Sequence, residues 1–412
     1  MIDPVLNPAQ RGAVEYRQGP LLVLAGAGSG KTRVLTSRIA HLVKVHGLRP
    51  DRILAVTFTN KAAGEMRHRV TALLGKEPAG LWIGTFHSIS ARILRREAHL
   101  LGFTRDYTIY DEDDRLAVIR RLLERLGRSS RAYPPRRIQS IISEAKNRLL
   151  TPEELGAQAD DRLTSAAAEV YHQLQPTLAV ANAMDFDDLL LHPLRLFREH
   201  PDRLEHYRAR FDSVLVDEFQ DTNRAQYLLV RYLAEKHRDL CVVGDDDQSI
   251  YSWRGADIRN MLDFQEDFAD ARVIRLEENY RSTRTILTAA NGVIAENEQR
   301  LGKTLFTSRD HGERVAVVAS ADERDEAEWV ARELRSLHAT DQYGYDRMAV
   351  LYRTNAQSRT FEEAFRRAAI PHRVVGAVSF YERREVRDLL AYLRLVANPA
   401  DDEAFMRAVQ VP

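Results

Sequence analysis

A glycine-rich segment near the start of the chain, residues 25–32, constrains the fold more than any other feature. Its sequence, AGAGSGKT, directly follows the apolar run 21–24 and leads into the helical pattern 33–45. A strand, loop and helix in this order indicate a turn whose backbone N–H groups cradle phosphates, with the positive end of the helix dipole behind them. Ala25 stands where such loops usually begin with glycine. A purely structural turn seldom carries this combination, so the segment predicts nucleotide binding within an α/β domain.

Apolar runs of β type occupy two separate stretches of the chain, with helical patterns between them. Continuous apolar strands are typical of a parallel sheet that is covered on both faces. Between about residues 88 and 211 no such run appears, and helix-type periodicity fills the gap. The pattern predicts an α/β domain with a large helical insertion. The predicted strands are residues 21–24, 53–58, 81–83, 214–216, 240–243 and 273–276, and the predicted helix breaks are Pro134, Pro135, Pro152 and Pro176.

Three further strand candidates follow residue 313, at 315–318, 348–352 and 372–375. Each precedes a helical pattern, so together they indicate a second α/β series. Three strands are few for an α/β domain with a core of its own, and we expect this second domain to be incomplete. The accompanying helices are predicted at residues 322–338, 358–369 and 383–396.

The composition limits the class of protein. A length of 412 residues predicts two to three domains, and 44% apolar residues are enough for more than one core. The single cysteine, Cys241, excludes a disulfide framework and suits a reducing cytoplasm, and its apolar neighbours predict a buried strand position. The start of the chain has no basic segment followed by an apolar run, and no apolar stretch approaches the roughly 20 residues of a membrane span. We therefore expect a soluble, cytoplasmic protein.

Charge is balanced overall, with 60 basic and 60 acidic residues, but it is not evenly distributed. Residues 115–148 contain ten lysines and arginines against only Glu124 and Glu144. Such a run is either a solvated helix face or a surface that binds phosphates, and the composition alone leaves both open. The basic residues are Arg115, Arg120, Arg121, Arg125, Arg128, Arg131, Arg136, Arg137, Lys146 and Arg148.

Two acidic residues, Asp217 and Glu218, directly follow the predicted strand 214–216. The carboxyl ends of parallel strands are where α/β sheets bind their ligands. Together with the glycine-rich loop, Asp217 is expected to hold Mg²⁺ with Thr32, while Glu218 orients and deprotonates an attacking water. Lys31 would reach the β- and γ-phosphates. An acidic pair after a strand is often only a solvated loop, and kinases of metabolites combine the same two motifs, so these residues alone define an NTPase site.

Three longer segments point to one class. Residues 217–223 read DEFQDTN, residues 243–256 read VGDDDQSIYSWRGA, and residues 276–283 read LEENYRST. They resemble the UvrD/Rep/PcrA family of superfamily 1A DNA helicases, most of all UvrD. Further matches, in the family's order and covering essentially the whole chain, are LNPAQ at 6–10, AVTFTNKAA at 55–63, GTFHS at 84–88 and DFDDLL at 185–190.

The resemblance implies an α/β fold with a P-loop RecA-like parallel sheet domain, a large helical insertion, and an incomplete second RecA-like domain. The ATP-binding motor domain would comprise residues 1–87 and 212–279, and the DNA-contacting insertion residues 88–211. The partial second domain would span residues 280–375, and the start of a mobile subdomain residues 376–412. The implied activity is that of an ATP-dependent 3′→5′ DNA helicase and translocase, with a role in DNA repair in the cytoplasm, at the nucleoid.

The resemblance also assigns nucleotide contacts. Gln10 resembles the family's adenine reader, and Tyr280 the ring that stacks on the base. Gln248 is similar to the residue that senses the γ-phosphate, and Arg281 to one of two arginines that neutralise the transferring phosphoryl group. For Arg281 taken alone, a surface salt bridge would be the simpler interpretation. The catalytic residues would be Lys31, Glu218, Gln248 and Arg281, and the ATP contacts Gln10, Ala27, Gly28, Ser29, Gly30, Lys31, Thr32, Arg33, Tyr280 and Arg281.

Single-stranded DNA and single-strand/duplex junctions are the implied partners, bound without sequence preference. Aromatic rings suit this task because every base offers a π-face. Phe58, at a predicted strand end, could equally be a core residue, whereas Trp253 in a polar loop is harder to explain in that way. The basic run falls in the insertion that lies beside DNA in the family, which favours phosphate contacts. The implied DNA-binding residues are Phe58, Thr85, His87, Phe186, Tyr251, Trp253 and Arg254.

Two later motifs of the family have no match in this sequence. One contacts DNA and sugar, and the other brings the second arginine to the γ-phosphate. We therefore expect the chain to be the N-terminal part of a UvrD-like helicase, able to bind ATP and single-stranded DNA but unable to unwind a duplex. Two alternatives stay open: a non-catalytic module that binds ATP and DNA, and the motor portion of a helicase–nuclease.

Overall fold

The computed structural model describes residues 6–297, 300–340, 343–375 and 384–410. Two compact units can be distinguished within them. The larger unit comprises the residues up to 313 together with 393–410, and the smaller unit comprises 314–392. No helix in the described ranges is both long and apolar enough to cross a membrane.

The larger unit contains an α/β sheet and a helical region. Its strands are β1 (Leu21–Ala25), β2 (Ile53–Thr57), β3 (Trp82–Thr85), β4 (Thr108–Tyr110), β5 (Ala183–Asp185), β6 (Ser213–Val216), β7 (Leu240–Gly244) and β8 (Arg272–Leu276). Its helices are α1 (Pro8–Glu15), α2 (Lys31–Lys44), α3 (Asn60–Leu74), α4 (Phe86–Glu97), α5 (Glu112–Arg125), α6 (Pro135–Asn147), α7 (Pro152–Ala157), α8 (Arg162–Val180), α9 (Asp188–Glu199), α10 (Pro201–Arg210), α11 (Arg224–Ala234), α12 (Arg259–Leu262), α13 (Phe264–Asp267) and α14 (Arg284–Ile294).

Six strands form one parallel sheet in the order β3-β2-β6-β7-β1-β8. All six apolar runs predicted as strands are confirmed as members of this sheet. Alternate residues of each strand enter two separate cores, as Leu22 and Leu24 do on one face and Leu21 and Val23 on the other. Cys241 of β7 is fully buried, as predicted. Because all strands run the same way, the loops after β1, β2, β3, β6 and β7 gather at one edge of the sheet.

The helical insertion is confirmed between β3 and β6, but two details of the prediction were wrong. β4 and β5 form a small parallel pair within it, each only three residues long and therefore too short to produce a periodic signal. Pro176 does not break a helix but lies inside α8. The buried face of α8 packs into the core of the insertion, and this packing outweighs the loss of one backbone hydrogen bond near the helix end. Pro135 and Pro152 begin α6 and α7, where a proline costs no hydrogen bond.

Part of the basic run is internal and cannot form a phosphate-binding surface. Lys146 is fully buried, and its Nζ lies 2.7 Å from an oxygen of both Asp185 and Asp188. Arg115 lies 2.6 Å from Asp187 and 3.4 Å from Asp185. For the exposed members of the run, the phosphate-binding interpretation stays a prediction. These are Arg120, Arg125, Arg131, Arg136, Arg137 and Arg148.

Residues 393–410 pack against this insertion. The Asn398 Nδ2 donates to the carbonyl oxygens of Ala181 and Asn182, at 3.0 and 3.1 Å. Tyr110 of β4 donates its hydroxyl to Asp401 at 3.0 Å. Of the predicted subdomain start at 376–412, residues 376–383 and 411–412 lie outside the described residues. The helices here are α17 (Arg384–Ala397), close to its prediction, and α18 (Asp402–Ala408).

The three strands predicted in the smaller unit are not formed. Residues 315–318, 348–352 and 372–375 have no strand pairing, and Val317, Leu351 and Val375 are 80 to 95% exposed. A β-type run forms a strand only when a neighbouring strand satisfies its backbone and a covering layer buries its side chains, and neither is present for these segments in the described structure. The predicted helices are confirmed as α15 (Glu323–Ala339) and α16 (Ser358–Arg367), which share a small apolar core.

Candidate nucleotide and DNA site

The glycine-rich loop joins β1 to α2 as predicted. Gly28 and Gly30 have φ angles of 68° and 91°, which side-chain-bearing residues rarely adopt. A Cβ on Gly28 would lie 2.6 Å from the amide nitrogen of Asn279, and one on Gly30 would lie 2.8 Å from that of Gln10. Ser29 is buried, and its hydroxyl donates to the Gly26 carbonyl at 2.7 Å. The backbone is therefore held in the turn that a phosphate cradle requires.

Gln10 is buried against this loop. Its Nε2 donates to the Ser29 carbonyl at 2.8 Å, and its Oε1 accepts from the Asn7 backbone N–H at 3.0 Å. The Asn7 side-chain oxygen in turn accepts a hydrogen bond from the Gln10 backbone N–H at 2.8 Å, and the two bonds form a capping box at the start of α1. The structure brings Gln10 to the loop with its amide already engaged. Its role as an adenine reader stays a prediction.

The acidic pair stands at the end of β6. The Lys31 Nζ lies 3.0 Å from Oε2 of Glu218, so the loop lysine and this carboxylate face each other. Glu218 has a φ of 51°, a left-handed conformation that costs energy in any residue with a Cβ. Its backbone N–H donates to the Asp217 carboxylate at 3.1 Å. Strain of this kind, held in place by the surrounding structure, is typical of a functional site.

Two carboxyl groups here have strongly raised pKa values. Burial, then the charge of Glu218, raises the pKa of Asp217 to about 7, and Lys31 opposes this only in part. The same causes raise the pKa of Asp221 to about 7. The Oδ1 of Asp221 is buried without a hydrogen-bond partner among the described residues. Asp221 lies within the motif at residues 217–223, but its position there did not predict a role for it. A cationic ligand at this edge would lower both pKa values.

Gln220 is a second residue that sequence analysis missed. It is buried, and its Nε2 donates to Oε2 of Glu218 at 3.0 Å while its Oε1 accepts from the Asp245 backbone N–H at 2.9 Å. The Asp245 carboxylate in turn accepts a hydrogen bond from Gln248. A continuous chain of contacts therefore links Lys31 to Gln248. The only signal in the sequence was the position of Gln220 within the motif, two residues after Glu218.

Asn279 attaches the segment that carries Tyr280 and Arg281 to the glycine-rich loop. Its Nδ2 donates to the Ala27 carbonyl at 2.5 Å, and its Oδ1 accepts from the backbone N–H of Arg281 at 2.8 Å. The Tyr280 N–H donates to the Gly28 carbonyl at 3.0 Å. The side chains of Tyr280 and Arg281 are exposed beside the loop, and Arg33 is half-buried near them. Asn279 was quoted in a motif but received no role from the sequence.

Aromatic residues cluster beside the same edge of the sheet. The rings of Phe58 and Tyr251 are stacked, with centroids 5.4 Å apart and 30° between their planes. Tyr251 and Trp253 follow at 6.2 Å. Trp253 is 61% exposed, which excludes the core interpretation for it. Phe58 is half-buried, so its ring is accessible at the end of β2.

A second aromatic pair joins His87, which follows β3, to Phe186, which follows β5. The His87 and Phe186 rings are 5.3 Å apart, and Phe186 is 52% exposed. Burial lowers the pKa of His87 to about 4, so His87 is neutral at pH 7. The Thr85 hydroxyl accepts the Ser88 N–H at 3.2 Å and so caps α4. The side chain of Arg254 lies outside the described residues.

These features together form a candidate nucleotide site beside an aromatic surface on a P-loop α/β domain, and comparison with known proteins identifies the family. The model of the UvrD/REP helicase N-terminal domain matches residues 6–269, and that of the UvrD-like helicase C-terminal domain matches residues 274–412. The chain belongs to the UvrD/Rep helicase family. The resemblance inferred from the motifs is thereby confirmed.

Curated relatives refine this position within the family. Proteins named ATP-dependent DNA helicase PcrA from Staphylococcus epidermidis and Bacillus subtilis are each 48% identical to the chain over 407 residues. The alignments cover 99% of this chain and 56% and 55% of the respective relatives. The chain thus spans a little more than half the length of these relatives. Because both domain models match, the comparisons give no support to the expectation that the chain cannot unwind DNA.

Proposed function

We propose that the protein acts as a PcrA-type, ATP-dependent DNA helicase that translocates 3′→5′ along single-stranded DNA. One observation carries the proposal. A hydrogen-bonded path runs from Lys31 through Glu218, Gln220 and Asp245 to Gln248. Gln248 is three residues from Tyr251, the centre of the aromatic cluster. A change at the nucleotide would therefore reach a surface suited to stacking bases.

At the nucleotide, Lys31 would bind the β- and γ-phosphates and release Glu218, with which it forms an ion pair in the structure. Glu218 would then orient water for attack and accept its proton. Arg281 would neutralise charge on the transferring phosphoryl group, since a guanidinium is planar and always charged. Tyr280 would stack on the base.

The residues present fit a magnesium ion. The Thr32 hydroxyl and the Asp217 carboxylate are hard oxygen donors, which this ion prefers. The raised pKa of Asp217 also supports a cation at this place, because the positive charge near this buried carboxyl group is too small to stabilise its ionised form. Bound with ATP, magnesium would neutralise charge on the β- and γ-phosphates.

For DNA, the proposed surface comprises the aromatic clusters around Tyr251 and Phe186, with His87 and Arg254 as polar contacts. Thr85 would contribute at the same place while capping α4. Exposed arginines of the insertion would contact phosphates, which makes binding sensitive to salt. We also propose the domain division inferred from the resemblance: a motor domain at 1–87 and 212–279, an insertion at 88–211, a partial second motor domain at 280–375 and the start of a mobile subdomain at 376–412.

The test is ATP turnover and strand displacement by the chain as it stands. We expect hydrolysis that rises with oligo(dT), and displacement from a duplex with a 3′ single-stranded tail but not from one with a 5′ tail. ATP binding without turnover in either condition would instead favour a non-catalytic module. Displacement only from the 5′-tailed substrate would contradict the proposed direction.

A further inference from the structure

Lys303 is a buried lysine that contacts three consecutive aspartates. Its Nζ lies 2.7 Å from Asp245 and 2.8 Å from Asp247, and it also forms an ion pair with Asp246. The Lys303 side chain is only 1% exposed. Burial acts to lower the pKa of Lys303, but the aspartates outweigh it and raise that pKa, so the lysine is charged. A buried charge in such a position is expensive unless its partners are held in place.

The segment around Lys303 is itself fixed on both sides. Arg300 pairs with Asp247 at 2.8 Å, and the Leu301 N–H donates to the Asp246 carboxylate at 2.8 Å. Leu305 covers the start of the glycine-rich loop so closely that a Cβ on Gly26 would lie 2.0 Å from its side chain. Residues 300–306 therefore touch both the phosphate loop and the aspartate triplet.

Asp245 is the link between Lys303 and the proposed nucleotide site. Its carboxylate accepts from Gln248 and contacts Lys303, and its backbone N–H donates to Gln220. Without Lys303, the three neighbouring carboxylates would repel one another. Among the contacts described above, Arg300 would be the remaining cation, and it pairs with Asp247. The carboxylate that orients Gln248 would then lose its fixed position.

We infer that Lys303 is a positioning residue for ATP hydrolysis, which acts through Asp245 on Gln248. This inference rests on the proposed function. The ion pairs of Lys303 described above are with aspartates and not with residues proposed to bind ATP. Lys303 anchors Asp245, which stands at the start of the loop that carries Gln248 and Tyr251. Its loss should therefore affect turnover much more than nucleotide affinity.

The experiment compares Lys303→Met with the unsubstituted chain by steady-state ATP hydrolysis at saturating oligo(dT). We expect kcat to fall by roughly 10- to 100-fold, as misplacement of a catalytic group by about 1 Å would cause. KM for ATP and the Kd of a fluorescent ATP analogue should stay within about twofold. Lys303→Arg keeps the charge and should recover most of kcat. Lys236→Met removes an exposed lysine as the matched control and should change neither constant.

If Lys303→Met does not fold, the double variant Lys303→Met with Asp246→Asn removes one carboxylate along with the lysine. It should restore folding, and its kcat should remain low because Asp245 is still unanchored. A kcat at the level of the unsubstituted chain in any folded variant that lacks Lys303 would overturn the inference. So would a loss of affinity equal to the loss of kcat. No hydrolysis by the unsubstituted chain would contradict the proposed function itself, and the inference with it.

Discussion

The helical insertion and the carboxyl edge of the sheet both bury aspartates, but they balance the charge differently. In the insertion, burial alone would raise the pKa of Asp185, yet Lys146 and Arg115 hold it below its ordinary value. At the sheet edge, burial and Glu218 raise the pKa of Asp217 to about 7, with Lys31 opposing only in part. In the insertion two cations, Lys146 and Arg115, face three aspartates, and burial with the charge of Asp185 raises the pKa of Asp187. At the sheet edge Lys31 alone faces Asp217, Glu218 and Asp221, and this larger excess of negative charge suits a site that binds cations. Burial of charge by itself therefore does not identify a functional site.

The aspartate triplet at 245–247 stands between these two cases. Like the insertion, it has a buried lysine among its carboxylates. Like the sheet edge, it is hydrogen-bonded to residues proposed to act on the nucleotide, through Gln220 and Gln248. Lys303 neutralises charge on this triplet and so keeps the neighbouring nucleotide site in position. For this reason we expect Lys303 to influence ATP turnover.

The largest expected effect comes from removing a cation from the insertion, where the buried carboxylates are better neutralised than at the sheet edge. Lys146→Met leaves the insertion carboxylates short of one buried cation, and removal of one partner from such a network costs about 3–5 kcal/mol. The midpoint of urea unfolding should fall accordingly, while a fluorescent ATP analogue binds as before. Lys236→Met, at an exposed ion pair, should change the midpoint little. A folded Lys146→Met chain with weakened nucleotide binding would mean that the two regions are not independent.

The next largest effect is expected at the sheet edge, where Lys31 is the cation that faces the carboxylates. Lys31→Ala removes the cation expected to bind the phosphates, and the loss of a charge-assisted contact of about 3 kcal/mol lowers affinity roughly 100-fold. Binding of a fluorescent ATP analogue measures it, and the far-UV circular dichroism spectrum should be unchanged. Lys44→Ala, at the exposed end of the same helix, is the control. Affinity retained in Lys31→Ala would refute the assignment of the phosphate loop.

A smaller effect is expected on the aromatic surface beside the sheet edge. Trp253→Ala should weaken oligo(dT) binding by about 1–3 kcal/mol, the value of one stacked base. The loss should be similar across sequences when salt is held constant, because stacking does not distinguish the bases. Phe405→Ala alters another exposed aromatic, on α18, and should leave the affinity unchanged. Equal weakening by both variants would argue against a localised stacking surface.

The smallest expected effect is a dependence of the free energy of unfolding on pH through Asp217. The pKa of Asp217 is about 7 in the folded chain and roughly 4 when unfolded, so the folded state holds an extra proton between these values. The stability contributed by this group is full below about pH 4 and is lost as pH rises to about 7. Asp217→Asn cannot ionise and should escape the loss.

The difference between pKa values of about 7 and 4 sets an upper limit of about 4 kcal/mol on the gain of Asp217→Asn at pH 8. Because the buried amide nitrogen of Asn would lack hydrogen-bond partners at a cost of about 1–3 kcal/mol, we expect a net gain on the order of 1 kcal/mol, or roughly 2–4 °C in melting temperature, which shrinks towards pH 5. Differential scanning fluorimetry of the nucleotide-free chain measures it. Asp185→Asn is the contrasting variant, since the folded chain favours the charged form of that group, and it should lower the melting temperature at pH 8. A melting temperature of Asp217→Asn that is lower than that of the unsubstituted chain at pH 8 would contradict the argument.

Local patterns in the sequence were enough for the sheet and for the phosphate loop. Apolar runs and glycines act on the backbone within a few residues, so β1 to β3 and β6 to β8 could be predicted from them. The roles of Lys31 and Asp217 could be anticipated because strand ends in a parallel sheet share one edge. The same reasoning failed at residues 315–318, 348–352 and 372–375, since a β-type run needs a neighbour that the run itself does not encode.

Charge in the insertion was undecided for a related reason. The composition of the ten basic residues between 115 and 148 is the same whether they face solvent or are buried. Only the fold places Lys146 and Arg115 among aspartates that lie some 40 to 70 residues away in the sequence. The same holds for Asn279, 252 residues from its partner Ala27, and for Lys303, 57 residues from Asp246. Local sequence patterns were sufficient to predict the sheet strands, the phosphate loop and the family. The tertiary structure decided which charges are neutralised and which remain in excess, because electrostatic energy depends on distance and burial in space and not on separation along the chain.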